Sequence, residues 1–259
     1  ALIESNNDTL EVRKWLTMLM APGSSLGGAR PKANIVDEEG NLWIAKFPSA
    51  NDTIDKGAWE YLAYRLAVNA GIEMADCRLE KISGHRRTFF TKRFDREKTT
   101  RVHFASAMTM TGKNEALVRE TPPSYLDMVE FLQLAGEQVS ENLRQLWRRL
   151  VFNILISNTD DHLRNHGFIL NKKGWHLSPA FDINPSIDKD GLALNIDTDN
   201  NALDIALAKS AGPYFQLSNR QMDTILDEVK SSVANWRKLA TEVGIPRKEQ
   251  LLMSSAFKL

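Results

Sequence analysis

The sequence lacks most of the features that assign a chain to a class at first reading. Its 259 residues include one cysteine, Cys77, which excludes an internal disulfide framework and a multi-cysteine metal site. No stretch approaches the ~18 consecutive apolar residues of a transmembrane helix, and residues 1–10 lack the charged-then-apolar order of a signal peptide. We therefore expect a cytoplasmic protein without membrane association, in which Cys77 is a small buried side chain.

The sequence also has no excess charge of either sign. Lysine and arginine together number 33, and so do aspartate and glutamate, which gives a formal net charge of zero. A protein that binds nucleic-acid phosphates over a broad surface usually carries a marked positive charge. We therefore expect no direct nucleic-acid binding. The length suits one large bilobal unit or two modest domains that share a cleft.

The first third of the chain predicts strands and few helices. An amphipathic segment at 10–20 and a glycine-rich loop at 23–32 come first. Two hairpins then enclose a helix around Trp59, and their strands are expected at 33–37, 42–47, 77–82 and 87–94. This order predicts a small α+β unit.

Beyond residue 95 the pattern becomes mainly helical. Ser124 with Asp127, and Ser218 with Gln221, have the spacing of capping boxes that open helices. Apolar residues recur from Leu143 to Leu155 in a stripe typical of a central core helix. The change of pattern divides the chain into two predicted units, residues 1–95 and residues 96–259.

The loop after that core helix carries the strongest chemical signal. Asp160 and Asn165 are five residues apart, the spacing at which a kinase catalytic loop presents a carboxylate to the acceptor hydroxyl and an amide oxygen to magnesium. A short hairpin at 167–177 follows, and Asp182 comes after it as a second hard oxygen ligand for Mg²⁺. His162, in the same loop, either reaches a phosphate or packs as an ordinary loop histidine. Together these residues predict phosphoryl transfer.

The small unit offers candidate phosphate contacts. The loop at 23–32, with Gly27 and Gly28, matches neither a Walker A motif nor the Gly-x-Gly-x-x-Gly fingerprint, although its backbone N–H groups could cradle phosphates. Lys46 lies on the strand that follows, where an ammonium could face the α- and β-phosphates. Glu60, on the next helix, is its candidate ion-pair partner.

Three segments together resemble the HipA-type serine/threonine kinases, the toxin halves of bacterial toxin–antitoxin pairs: residues 93–96, 158–165 and 178–186. The resemblance implies a bilobal protein-kinase-like fold of the α+β class, with a small mixed α/β N-lobe and a larger, mainly helical C-lobe. It implies ATP and Mg²⁺ as cofactors, with Asp160 as the catalytic base. It makes Asn165 and Asp182 the metal ligands, Lys46 the phosphate clamp, and the backbone of Lys92, Arg93 and Phe94 the adenine hinge. Gly27, Gly28 and His162 are the further candidates for nucleotide contacts.

The resemblance also implies regulation and partners. Ser25, with Ser24 as a neighbouring candidate, matches the loop serine that such kinases phosphorylate on themselves, and a phosphate there would repel the ATP phosphates. Implied partners are an antitoxin, and a protein substrate such as an aminoacyl-tRNA synthetase or another translation component. Only some twenty residues precede the glycine-rich loop, so we expect the family's extra N-terminal subdomain to be a separate chain, lost or trimmed. Residues 101–112 also lack the acidic pair and glutamine of many relatives.

Other readings of the same residues remain open. The segment 23–27 matches the Gly-x-Ser-x-Gly elbow of α/β-hydrolases, but a helix precedes it and a strand follows, the reverse of what an elbow needs. His162, His166 and Asp182 could hold the metal of a hydrolase if a helix presented them. Residues 197–208 resemble the start of an EF-hand but read as a polar turn. A nucleotide-binding pseudokinase that regulates a partner is the main alternative.

Overall fold

Four antiparallel strands form the sheet of the N-terminal part in the computed structural model, which describes residues 30–82, 86–97 and 100–259. They are β1 (Lys32–Val36), β2 (Leu42–Lys46), β3 (Cys77–Glu80) and β4 (Thr88–Lys92), in the spatial order β1-β2-β4-β3. Helix α1 (Lys56–Asn69) connects β2 to β3. The four predicted strands and the helix around Trp59 are therefore confirmed, whereas the segment at 10–20 and the loop as far as Ala29 lie outside the described residues.

The turn between β1 and β2 is closed by an aspartate. One carboxylate oxygen of Asp37 accepts hydrogen bonds from the backbone N–H groups of Glu39 and Asn41, and the other accepts from Trp43 Nε1 at 2.8 Å. Gly40 has a φ of 83°, a conformation that glycine adopts without steric cost. Hydrogen bonds from the side chains of Asn41 and Trp43 lower the pKa of Asp37 to about 2.

The remaining described chain is mainly helical. Its helices are α2 (Ala107–Met110), α3 (Glu115–Glu120), α4 (Tyr125–Ala135), α5 (Val139–Leu155), α6 (Ile205–Ala211), α7 (Asn219–Ala234), α8 (Trp236–Val243) and α9 (Arg247–Leu252). The strands are β5 (Arg96–Glu97), β6 (Thr100–Arg101), β7 (Phe104–Ser106), β8 (Gly167–Leu170) and β9 (Trp175–Leu177). The predicted hairpin is β8–β9, and β7 adds a third strand to it that the sequence did not indicate.

Both predicted capping boxes are present. The Ser124 hydroxyl accepts from the N–H of Leu126, while Asp127 accepts from the backbone N–H of Ser124 at 2.8 Å. Ser218 and Gln221 make the equivalent pair at the start of α7. Each box satisfies backbone donors that a helix start otherwise leaves without partners, so the local sequence alone sets where α4 and α7 begin.

Helix α1 packs in the same hydrophobic core as the C-terminal helices. Trp59 contacts the rings of Trp236 and Phe257, and the Ser232 hydroxyl donates to the carbonyl of Leu66 at 2.7 Å. The sheet has a smaller core of its own, made of Ala33, Trp43, Ala45, Phe47 and Phe90. The helix that carries Glu60 is therefore held by the C-terminal part of the chain, and the boundary near residue 95 stays a prediction.

The structure bears on two further expectations, the burial of Cys77 and the absence of a membrane-spanning helix. Cys77 is half-buried instead of fully buried, and its partial burial raises the pKa of the thiol to about 12. Within the three described ranges, no helix is both long enough and apolar enough to cross a membrane.

Candidate active site

The end of strand β2 brings three charged side chains together. Lys46 Nζ lies 2.5 Å from Glu60 Oε1 on α1 and 2.6 Å from Oδ1 of Asp182, which follows 136 residues later in the chain. Lys46 and Glu60 are buried, whereas the Asp182 side chain is 40% exposed. The predicted ion pair is present, and Asp182 joins it as a second carboxylate on the solvent side.

The charges in this cluster do not balance. Burial alone would lower the pKa of Lys46, but the Glu60 and Asp182 carboxylates outweigh it and hold the pKa above its usual value. Burial raises the pKa of Glu60, while at Asp182 the Lys46 ammonium outweighs burial and lowers the pKa. Lys46, Glu60 and Asp182 alone therefore carry one excess negative charge, and the partly exposed Asp182 carboxylate is the kind of oxygen ligand that a divalent cation prefers.

A second lysine faces the same place and was missed in the sequence. Lys32 is directly opposite Lys46 in the register of β1 and β2. Burial and the neighbouring Lys46 lower the pKa of Lys32, and its charge in turn helps to lower the pKa of Asp182. The available signal was the position of Lys32 at the first residue of the strand after the glycine-rich loop. Two lysines at paired strand positions therefore both act on Asp182, which suits the binding of a polyphosphate.

The loop after α5 brings Asp160 and Asn165 together. Asp160 is exposed, and its carbonyl accepts from Asn165 Nδ2 at 3.0 Å. A short 3-10 turn, Leu163–Asn165, follows His162. The amide nitrogen of Asn165 makes the hydrogen bond to Asp160, so its amide oxygen points away from that bond. An amide oxygen is a ligand type that Mg²⁺ accepts. His162 is close enough to Asp182 for its charge to help lower the pKa of that carboxyl.

Backbone contacts to two distant parts of the chain hold the segment around Asp182. The N–H of Ala180 donates to the Glu73 carbonyl at 2.8 Å, and the N–H of Ser186 donates to the Ser157 carbonyl at 3.1 Å. Asp182 itself has a φ of 57°, a left-handed conformation that aspartate tolerates better than most residues. An exceptional backbone conformation at a candidate site is consistent with a functional constraint.

Polar residues on one side of α5 form hydrogen bonds to the segments around the site. Asn142, Arg149 and Asn153 are spaced seven and four residues apart, which places them on one face of the helix. Asn142 accepts from the N–H of Leu177 at 2.6 Å, and Arg149 donates to the Ser178 carbonyl at 2.6 Å. All three are buried, and burial lowers the pKa of Arg149 to about 10. The apolar stripe predicted for this helix is present, but this polar face was missed.

The predicted hinge is already partly engaged in the sheet. The N–H groups of Lys92 and Arg93 donate to the carbonyls of Asp76 and Leu42, each at 2.8 Å. The ring of Phe94 packs against Phe104 and Phe181, with centroids 5.5 and 5.7 Å away. The three half-buried aromatic rings link the hinge to the residue before Asp182 and offer an apolar surface beside the charged cluster. Phe104 and Phe181 were missed, because nothing in their local sequence marks them.

Beneath the predicted catalytic loop, residues 158–166, lies a buried polar cluster that was also missed. Asp161 accepts a short hydrogen bond from the Tyr125 hydroxyl, and its other oxygen lies 2.7 Å from His166 Nε2. Asn153 Nδ2 donates to the Tyr125 oxygen at 3.0 Å. Burial, followed by the Asp161 carboxylate, raises the pKa of Tyr125 well above its usual value. Its hydroxyl therefore stays a donor.

The alternative metal sites find no support in the described part of the chain. There, no three histidine, cysteine, aspartate or glutamate side chains gather as a metal cluster, and His166 faces Asp161 instead of His162 or Asp182. Asp197 accepts from the N–H groups of Asp199 and Asn200, which confirms the polar turn. The predicted loop residues Ser24, Ser25, Gly27 and Gly28 lie outside the described residues.

Comparison with known proteins identifies the family. The family model of the HipA-like C-terminal domain matches residues 24–236, which is most of the chain. The chain belongs to the HipA C-terminal-like family. All of the described residues in the charged cluster, the catalytic loop and the hinge lie inside the matched segment of this family, which confirms the resemblance found in the sequence.

Two curated relatives of this HipA-like chain carry kinase names. "Putative kinase Y4mE" of Sinorhizobium fredii is 23% identical in an alignment 261 residues long, which covers 88% of this chain and 60% of the relative. "Putative kinase" of Haemophilus influenzae is 24% identical over 180 residues, which cover 62% of this chain and 52% of the relative. The chain thus spans little more than half the length of these relatives.

Solved structures with the same fold agree with this family. A chain of the Shewanella oneidensis complex of HipA, HipB and operator DNA matches with a TM-score of 0.68 at 17% identity, covering 90% of this chain and 62% of that one. The Helicobacter pylori proinflammatory kinase CtkA matches with a TM-score of 0.53 at 14% identity, covering 82% and 94%. The HipA-like chain therefore shares a mixed α/β fold with both.

Proposed function

We propose that this chain is an ATP- and Mg²⁺-dependent protein serine/threonine kinase of the HipA type. The observation that carries the proposal is Lys46 Nζ, which lies within 2.6 Å of both Glu60 and Asp182. The nearby loop that joins Asp160 to Asn165 adds the remaining groups that phosphoryl transfer needs. The family and the names of the relatives support the same activity.

In this proposal the fold is bilobal and protein-kinase-like. Residues 1–95 form the N-lobe, with the glycine-rich loop and Lys46, and residues 96–259 form the mainly helical C-lobe. ATP binds between them, with adenine near the backbone of Lys92, Arg93 and Phe94. Because the N–H groups of Lys92 and Arg93 already donate within the sheet, the N–H of Phe94 is the hinge donor for adenine.

The described residues divide the chemistry among them. Lys46, with Lys32 beside it, binds phosphate oxygens, and Glu60 keeps the Lys46 ammonium oriented. Asp160 accepts the proton of the acceptor hydroxyl while the hydroxyl oxygen bonds to the γ-phosphorus. The bond between the γ-phosphorus and the β–γ bridging oxygen breaks at the same time, which releases ADP. Bound Mg²⁺ would offset phosphate charge, and the Asn165 amide oxygen and the Asp182 carboxylate are the hard donors that fit it.

Self-regulation belongs to the same proposal. Gly27 and Gly28 would present backbone N–H groups to the phosphates, and Ser25, or Ser24 beside it, would accept phosphate from the enzyme itself. A phosphoserine carries about −1.5 to −2 charges at neutral pH. Such a charge in a loop that holds ATP phosphates would repel the nucleotide and reduce activity.

Partners follow from the similar proteins. The Shewanella neighbour was solved with HipB and operator DNA, and we propose an antitoxin partner of the same kind for this chain. The acceptor would be a protein of the translation apparatus, such as an aminoacyl-tRNA synthetase.

The test is to incubate the purified chain with ATP and Mg²⁺ and to map phosphosites by mass spectrometry. Asp160→Asn removes the base and Asp182→Ala removes a metal ligand, while Asp227→Asn on the exposed side of α7 is the matched control. Phosphate on Ser25 or Ser24 in the wild type and in Asp227→Asn, but in neither site variant, is the expected result. Mg-ATP binding without labelling of itself or of lysate proteins would make the chain a pseudokinase. A chain that binds no nucleotide would not be a kinase.

A further inference from the structure

Two neighbouring aspartates have opposite surroundings. Asp160 is exposed, whereas Asp161 has 2% of its surface accessible. A buried carboxylate destabilises the folded state unless hydrogen bonds and partners compensate for its lost hydration. The role proposed for Asp160 does not account for Asp161, so the buried carboxylate requires an explanation of its own.

Both oxygens of Asp161 are engaged away from the cleft. Oδ2 accepts from the Tyr125 hydroxyl at the start of α4, and Oδ1 contacts His166 Nε2 at the end of the catalytic loop. One contact ties the start of the loop to its end, and the other ties the loop to α4. Because neither oxygen is left for a substrate hydroxyl, Asp161 is unsuited to act as the base.

The core helix α5 completes this arrangement. Asn153 donates to the Tyr125 oxygen at 3.0 Å, and its own amide oxygen accepts from Asn158 Nδ2 at 3.1 Å. The neighbouring Ser157 carbonyl accepts from the N–H of Ser186, four residues after Asp182. The hydrogen bonds therefore run from the catalytic loop through the core helix to the segment that carries Asp182.

We propose that Asp161 is a positioning residue that, with Tyr125, Asn153 and His166, fixes the catalytic loop on the core helix and so sets the places of Asp160 and Asn165. We call these four residues the loop anchor. The proposal rests on the proposed kinase function for its effect on rate, but its structural part concerns the loop alone. Lys46 and the hinge lie outside the loop anchor, so nucleotide contacts made by them do not depend on it.

The rate measurements compare substitutions of the two aspartates. Asp161→Ala should lower kcat about 10- to 100-fold, the usual cost of losing a residue that orients another ligand or catalytic group. The KM for ATP should change less than about threefold, because Lys46 and the hinge are untouched. Asp161→Asn can still accept from Tyr125 and face His166, so it should recover most of the activity, unlike Asp160→Asn. The same kcat in Asp161→Asn and Asp160→Asn would identify Asp161 as a base and overturn the proposal.

Amide hydrogen exchange provides a readout that does not need phosphoryl transfer. Peptides covering residues 157–166 should exchange faster in Asp161→Ala than in the wild type, while peptides of β2 and α1 stay unchanged. Tyr125→Phe keeps the ring and removes only the hydroxyl, so it serves if Asp161→Ala fails to fold, and Tyr214→Phe on the surface is its matched control. Unchanged exchange at 157–166 in a folded anchor variant would overturn the proposal whatever the activity.

The two proposals can fail separately. If the wild type transfers no phosphate while exchange at 157–166 rises in the anchor variants, the kinase assignment fails and the positioning role stands. If the wild type is active and Asp161→Ala matches it in kcat and exchange, the positioning role fails alone. A double variant Tyr125→Phe/Asp161→Ala should lose less activity than the two single losses combined, because both changes remove the bond between Tyr125 and Asp161.

Discussion

The two halves of the candidate site are built in different ways. Lys46 and Glu60 come from a strand and a helix, whose regular geometry and packing place them. Asp160, Asn165 and Asp182 come from irregular segments, which side chains of the core helix and of α4 hold through buried hydrogen bonds. Regular elements position a residue through periodicity, whereas a loop needs dedicated polar contacts, which short local patterns do not reveal.

The largest expected effect is on the regular half. Lys46→Met removes the ammonium that would stabilise the transferring phosphate, and we expect kcat to fall about 10²- to 10³-fold, as for loss of one electrostatic stabiliser elsewhere. The measurement is steady-state phosphoryl transfer. Lys209→Met, at a partly exposed lysine paired with Asp223, is the control. Equal activity in Lys46→Met and the wild type would mean that the charged cluster is not the phosphate site.

The role of the apolar face of α5 in stability can be tested separately from the role of its polar face. Leu150→Ala truncates a fully buried side chain of α5, and we expect the free energy of unfolding to fall by about 2–5 kcal/mol. Activity per folded molecule should stay close to that of the wild type at low temperature. Urea denaturation and an assay on the same sample check this. A large loss of activity in fully folded Leu150→Ala would show that the apolar face also positions the loops.

A smaller effect is expected at the start of α4, which carries Tyr125. Ser124→Ala removes half of the capping box and should lower the free energy of unfolding by about 1 kcal/mol. Ser218→Ala removes the equivalent hydroxyl at α7, far from the loop anchor, and is the matched variant. We expect similar stability losses in chemical denaturation, with faster exchange at residues 157–166 in Ser124→Ala only.

The smallest effect concerns the hairpin turn at Asp37. The pKa of this carboxyl is lowered to about 2 in the folded state, against about 3.9 in an unfolded chain. Its contribution to stability is therefore fully present above about pH 4 and is lost as the pH falls through about 2. An NMR titration of the carboxyl should give this low midpoint, and Asp37→Asn should remove the corresponding acid-dependent change in Trp43 fluorescence. A midpoint near 3.9 would contradict the turn geometry.

The sequence indicated much of the candidate site, and the reason differs from residue to residue. Asp160 and Asn165 were found because a five-residue spacing within one loop is a local property. Lys32 was missed because only the strand register brings it opposite Lys46. The buried contacts of Asp161 were missed, because which residue of a loop is buried depends on tertiary packing and not on the local sequence.

The sequence by itself determined the hairpins, the helix starts at Ser124 and Ser218, and the core helix, because these depend on side-chain periodicity and on hydrogen bonds between residues close in the chain. Only the tertiary structure decided that Lys46 meets Asp182, 136 residues away. It also decided that α1 packs with the C-terminal helices. Contacts at such separations depend on how whole elements pack, and local patterns carry no information about which distant partner fills a given place.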